Sequence, residues 1–231
     1  TPFDFDKQSV LFIPDNLPHP SRERAAWESA AKAMMLHLVR ASQGRALLLF
    51  SSRKVMNDAY EMMSSQLPYT CMRQGEAPNK VLAERFAQDI ANRRRSKAVQ
   101  DSSVLCATRS FFTGVDFQGD TLSLVVMDKL PFPVPTEPLF EARSDAVEKA
   151  GGSSLMDLSI PMMSLVLQQG HGRLIRHRDD TGVVAILDPR IVTQGYGRVI
   201  DRSLPDSRRV HTMAEVEKFF HQMEAAKEVV A

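Results

Sequence analysis

The sequence predicts an α/β fold of three layers, a mainly parallel sheet with helices on both faces. Short and nearly continuous apolar runs such as Leu47-Leu48-Leu49-Phe50 alternate with longer segments whose apolar residues recur every three or four positions. Runs with no polar alternation suit strands covered on both sides. A chain of 231 residues, 43% hydrophobic and 25% charged, also has the apolar material for one good-sized core, so a single domain over residues 1–231 is expected.

The elements follow in order. Thr1-Pro2-Phe3-Asp4-Phe5 has no initiator Met and runs straight into strand-like Val10–Ile13, so the chain reads as a piece of a longer polypeptide. Trp27, Ala31, Met34 and Leu38 form the apolar stripe of a first helix. A strand at Ala46–Phe50 comes next. Ser52 then caps a helix with Val55, Ala59, Met62 and Met63 on one face, and Asn79 caps another carrying Leu82, Phe86 and Ile90. Further strands are expected at Tyr69–Met72, Val104–Ala107, Leu122–Met127 and Val183–Leu187. Between the last two, Leu130-Pro131-Phe132-Pro133-Val134-Pro135 must be extended or turning. A helical insertion at about 137–169 follows it. Its two helices, near Glu137–Lys149 and Ser159–Gln169, are separated by Gly151-Gly152, with Pro161 in the first turn of the second. Thr212 and Glu215 make a capping box before Val216, Phe219 and Phe220.

Composition narrows the function. Lys plus Arg at 29 against Asp plus Glu at 28 leaves a formal net charge of +1, so any polyanion must be met by local patches. Cys71 and Cys106 are too few for a disulfide framework or a four-cysteine metal cluster. No apolar run reaches the roughly 18–20 residues needed to cross a bilayer, and a soluble cytoplasmic protein without membrane partners is expected.

Three loops are chemically unusual. Ser51-Ser52-Arg53 offers hydroxyls, a helix N-terminus and a cation, although a serine N-cap also explains it. Thr108-Arg109-Ser110 opens a loop running through Gly114 and Asp116 to Gly119 and Asp120; its plain structural alternative is turn glycines with a capping acid. Gln168-Gln169-Gly170-His171-Gly172-Arg173-Leu174-Ile175-Arg176 closes a helix and sets two arginines three apart, where a helical turn would put them on one face. Arginine suits a migrating phosphoryl charge because its fork is planar, bidentate and permanently charged. Arg93-Arg94-Arg95 and Lys97 read as a solvated helix end, with contact to nucleic acid as the alternative. His171 and His177 lack a metal-ligand set, and Arg208-Arg209 is read as surface.

These residues carry a resemblance. Gln169-x-x-Gly172-Arg173-x-x-Arg176 resembles motif VI of superfamily 2 helicases. Ser110–Asp116 resembles motif V as used by the XPD and DinG branch, and Leu49-Phe50-Ser51-Ser52 resembles motif IV. Lys129–Pro135 and Leu187-Asp188-Pro189-Arg190 are similar to linking segments of DinG-type C-terminal domains. The five run in order between about residues 5 and 205, and the fold they imply is RecA-like.

The resemblance implies roles. Arg173 and Arg176 would be arginine fingers toward the γ-phosphate of ATP, with Gln169 and Gly172 beside them. Gly114 and Asp116 would couple nucleotide to the bound strand. Ser51, Ser52, Arg53, Thr108 and Arg109 would touch the backbone of single-stranded or forked DNA, with movement 5′ to 3′. The chain holds no Gly-x-x-x-x-Gly-Lys-Ser/Thr loop and no Asp-Glu-x-His run. ATP and Mg²⁺ would therefore be held mainly by an N-terminal motor domain of the same polypeptide. An iron–sulfur cluster, found in relatives, cannot come from two cysteines here. Two alternatives stay open: an inert nucleic-acid-binding or interaction domain of the same fold, and the helicase part of a helicase–exonuclease fusion.

Overall fold

The computed structural model describes residues 4–96, 102–112, 122–175 and 180–230, with side chains described except at 91–96, 109, 112 and 227–230. Among the described residues seven strands form one sheet: β1 (Ser9–Phe12), β2 (Ala46–Phe50), β3 (Thr70–Arg73), β4 (Ser103–Thr108), β5 (Leu124–Met127), β6 (Gly182–Ile186) and β7 (Arg208–Val210). Their order is β3-β4-β2-β5-β6-β1-β7, and every pairing is parallel. The helices are α1 (Phe5–Gln8), α2 (Arg24–Ala41), α3 (Arg53–Gln66), α4 (Asn79–Ser96), α5 (Pro138–Lys149), α6 (Ile160–His171), α7 (Arg190–Thr193), α8 (Gly197–Ser203) and α9 (Met213–Val230).

Alternate residues of each strand feed opposite layers. Leu47, Leu49, Leu105, Val125, Met127, Val184 and Ile186 pack with Leu82 and Phe86 of α4, Met163 and Leu167 of α6 and Ile200 of α8. Ala46, Leu48, Phe50, Val104, Val126 and Val183 pack with α2, α3 and α9 through Trp27, Leu38, Met56, Met63 and Phe220. The three expected layers are present, and the nearly unbroken apolarity of the strands is explained by burial on both faces.

Differences from the expected elements are local. Met35 and Val39 are buried on α2 where Met34 is half-buried, and Met56 takes the place expected of Val55 and Met62 on α3; the inward stripe is turned by about one residue. Ser52 does cap α3, its Oγ accepting from the Val55 N–H at 3.3 Å, and Thr212 and Glu215 form the reciprocal box. Asn79 is itself the first helical residue, and the Leu82 N–H bonds the Pro78 carbonyl instead. Between α5 and α6 the chain forms a π-helical turn, Ser154–Ser159, capped by Ser153. Arg208-Arg209, expected as plain surface, lies in β7. Arg208 is exposed, but Arg209 is half-buried, its Nε 3.1 Å from Asp201 Oδ1. Three residues gave too little periodicity to reveal that strand.

Two glycines are required by space. Gly44 (φ +75°) turns the chain from α2 into β2, and a Cβ there would meet Ser102 Oγ at 2.4 Å. At Gly182, the first residue of β6, a Cβ would sit 2.4 Å from the Ser123 carbonyl oxygen.

Candidate nucleotide and strand interfaces at two edges of the sheet

Parallel strands place all their carboxyl ends along one edge. In the middle of the sheet β4 ends on Thr108, and its neighbours β2, β5 and β6 run out into Ser51, Asp128 and Asp188 respectively. This edge opens into a groove of about 710 Å³ whose lining includes Ser51, Ser52, Arg53, Thr108 and Ser110. Four of the five residues expected to touch a nucleic-acid backbone are thus brought together; Arg109 begins a 3₁₀ turn (Arg109–Phe112), and its side chain lies outside the described residues.

Hydrogen bonding divides those four. The Ser51 N–H donates to Asp128 Oδ1 at 2.9 Å, and the Ser51 hydroxyl donates to Asp128 Oδ2 at 2.8 Å. Thr108 donates both its N–H (2.9 Å) and its hydroxyl (2.8 Å) to Gln74 Oε1. Those donors are occupied within the protein. Arg53 and Ser52 are exposed, and the Ser52 hydroxyl, whose oxygen accepts from Val55, keeps its own proton for another partner. Both stand at the N-terminus of α3, where the helix dipole and unpaired N–H groups favour an anion.

Asp128 is 2% exposed, and burial pushes its carboxyl up to about 6 despite the two Ser51 donors. Beside it the proline-rich strap is fixed at several points. Lys129 Nζ lies 4.3 Å from the Trp27 ring centroid, and the Trp27 indole donates to the Leu187 carbonyl at 2.9 Å. The Leu130 N–H donates to buried Asp188 at 2.9 Å, and Asp188 is paired with Arg190 at 2.6 Å. Arg190 in turn stacks on Phe132, which meets Tyr196 edge to face. Sequence reading missed Gln74, Asp128 and the Asp188–Arg190 pair as site builders. The available signal was an acid directly after the apolar runs of β5 and β6; Gln74 carried none.

The third unusual loop lies elsewhere. It follows α6 and precedes β6, so it sits at the amino edge. His171 Nε2 is 2.6 Å from Ser207 Oγ, which is 2.6 Å from Ser9 Oγ at the start of β1. Leu174 packs against the Gly182 position at the start of β6. Here Gln169 and Gly172 are exposed and Arg173 is half-buried, its guanidinium held below the usual range by burial. Gly172 is the right-handed C-cap of α6, and Arg173 lies in the following turn, not on a helical face. Arg176, Gly114 and Asp116 lie outside the described residues, as does His177.

His171 is 1% exposed, and burial, with Arg209 nearby, lowers its pKa to about 4. Its Nδ1 has no hydrogen-bond partner among the described residues. The same residues contain no group of three His, Cys, Asp or Glu arranged to hold a metal ion, and no helix long and apolar enough to cross a membrane.

A parallel three-layer sheet with a polar groove at one edge and a Gln-Gly-Arg turn at the other defines a RecA-like domain that lacks its own phosphate loop. A family model described as "Helicase C-terminal domain" matches residues 35–207, and the chain belongs to that family. It is 35% identical over 219 residues to the ATP-dependent DNA helicase YoaA of Escherichia coli (strain K12), covering 95% of this chain and 32% of that protein. It is 37% identical over 205 residues to the ATP-dependent helicase DinG of Mycobacterium tuberculosis (strain ATCC 25618 / H37Rv), covering 89% and 29%. The chain thus spans about a third of the length of the curated relatives it matches. The S. tokodaii Xpd4 structure superposes with a TM-score of 0.58 at 13% identity, covering 90% of this chain and 39% of that one, a likeness of fold. The resemblance to DinG-type helicase C-terminal domains, stated from five short motifs, is borne out by the family match and these relatives.

Proposed function

We propose that the chain is the second motor domain of a DinG-like ATP-dependent DNA helicase moving 5′ to 3′ along single-stranded DNA. Its nucleotide site is completed by a first motor domain of the same polypeptide, which holds ATP and Mg²⁺. The residues here do not fit a phosphate cradle of their own, since there is no Gly-x-x-x-x-Gly-Lys-Ser/Thr loop. The observation that carries the reading is the separation of two interfaces. Gln169, Gly172 and Arg173 stand together at the amino edge, while Ser52 and Arg53 face a groove at the carboxyl edge.

In this reading Arg173 and Arg176 stabilise the charge that develops on the transferring γ-phosphoryl group, and Gln169 and Gly172 support them. Gly114 and Asp116 couple that site to the strand. Ser52 and Arg53 contact strand phosphates directly. Ser51 and Thr108 reach one only by exchanging the bonds they make to Asp128 and Gln74, and Arg109 joins them from the end of β4.

The test uses the full-length parent. An arginine finger acts mainly in the transition state and is worth on the order of 10³ to 10⁵ in rate. Arg176→Ala, and Arg173→Ala beside it, should therefore abolish DNA-stimulated ATP hydrolysis and unwinding while ATP affinity is nearly kept. Arg176→Lys should rescue little, because an ammonium lacks the bidentate fork. Arg93→Ala is the control and should be mild. Near-parental hydrolysis and unwinding in both motif variants would end the proposal.

A further inference from the structure

The carboxyl-edge groove has two unlike ends. Where β4 and β2 finish it is polar, with Ser52, Arg53 and Ser110; where β5 finishes it is walled by the strap and the helical insertion, through Pro133, Val134, Phe140, Leu155 and Val166. Val134 is 58% exposed and Leu155 43%, so two aliphatic side chains stand in solvent at the mouth of a concave site. The wall does not collapse onto them. Its backbone is stiffened by three prolines, and the strap is tied to Trp27 and, through Asp188, to Arg190.

A cation and a helix N-terminus at one end with a rigid apolar shelf at the other match the two ends of one chemical unit, a phosphate joined through a sugar to an unpaired base. The volume lies within the range that encloses a small ligand. From this we infer that the apolar end of the groove seats one nucleobase of the bound single strand, while its phosphate lies toward Ser52 and Arg53. This rests on the reading of the carboxyl edge as the strand interface. Pro133, Val134, Phe140, Leu155 and Val166 are all apolar, so the shelf they form takes a base by its apolar face, whichever base it is. A duplex is excluded, since its bases are already stacked and paired.

The experiment measures binding of the 231-residue chain to a dT oligonucleotide and to one of equal length and phosphate number made of abasic residues, at a single low salt concentration. The variants are Leu155→Ser and Val134→Ser, at exposed positions where folding is little affected, and Arg53→Ala. The expected result is that the parent binds dT roughly five- to tenfold more tightly than the abasic strand. The two serine variants should lose most of that preference, leaving abasic binding unchanged, while Arg53→Ala should weaken both strands by similar factors. Equal binding of dT and abasic strands, with Arg53→Ala still harmful, would overturn the base shelf and spare the phosphate contact. A strand that binds with no response to Arg53→Ala, or does not bind, would overturn both. A dT preference that survives the two serine variants would place the base elsewhere and also end the inference.

Discussion

Asp128 at the carboxyl edge and His171 at the amino edge are both buried, but their surroundings differ. Asp128 receives two hydrogen bonds from Ser51, one from backbone and one from side chain. His171 has Ser207 on one ring nitrogen and no partner among the described residues on the other. Burial disfavours the charged form of each, which raises the acid to about 6 and lowers the base to about 4. The lesson is that one physical cause places both titrations between about pH 4 and 6.5 with opposite effects on stability. In the parent the two effects offset one another, and each end of the sheet is probed by replacing the other's titrating group.

The largest effect expected at either edge is at the strap. Asp188 is fully buried and serves both Arg190 and the Leu130 N–H, so Asp188→Ala leaves a cation and a donor without their partner. Unfolding in urea should show a loss of about 3–5 kcal/mol. A change under 1 kcal/mol would mean that the strap is held by its prolines and its contacts to Trp27 and Tyr196.

The pH comparison comes next. The folded-state pKa of Asp128 is raised, so its contribution to stability is complete below the unfolded pKa near 4 and is lost as pH rises through about 6. The pKa of His171 is lowered, so its contribution is complete above about 6.5 and is lost as pH falls through about 4. Each is worth at most roughly 3 kcal/mol. Relative to the parent, Asp128→Asn should add a rise in stability between pH 4 and 6.5, and His171→Gln should add a fall across the same window. Parallel curves for parent and both variants would show that neither group titrates within the folded range.

A smaller effect is expected from Ser207→Ala. It removes the hydroxyl that links His171 to Ser9 at the amino edge, and thermal unfolding should register about 1–3 kcal/mol for the buried groups left unpaired. Strand binding at the carboxyl edge should not change.

The strands and the layer order were legible because burial on both faces writes itself into runs such as Leu47–Phe50, and the larger helices because their stripes repeat over several turns. Elements of three to six residues, such as β7 and the π-helical turn, have too few positions to show a period. At the groove, Ser52 and Arg53 could be read from their place at a strand end. The occupation of Ser51 and Thr108 could not, because Asp128 and Gln74 are distant in sequence and become their neighbours only through the strand order β3-β4-β2-β5. The amino-edge turn was recognisable as a motif, but its edge was not legible, since α6 had to be oriented before its end could be placed.

α6 has a mechanical consequence. Its N-cap Ser159 lines the groove, and its last residues lead into Gln169, Gly172 and Arg173 at the far edge. Twelve residues make a rod of about 18 Å, close to the height of the sheet. The hydrogen-bonded backbone of α6 therefore fixes the spacing between the groove and the arginine turn. One helix thus joins the groove to the arginine turn, seated on the sheet through Met163 and Leu167.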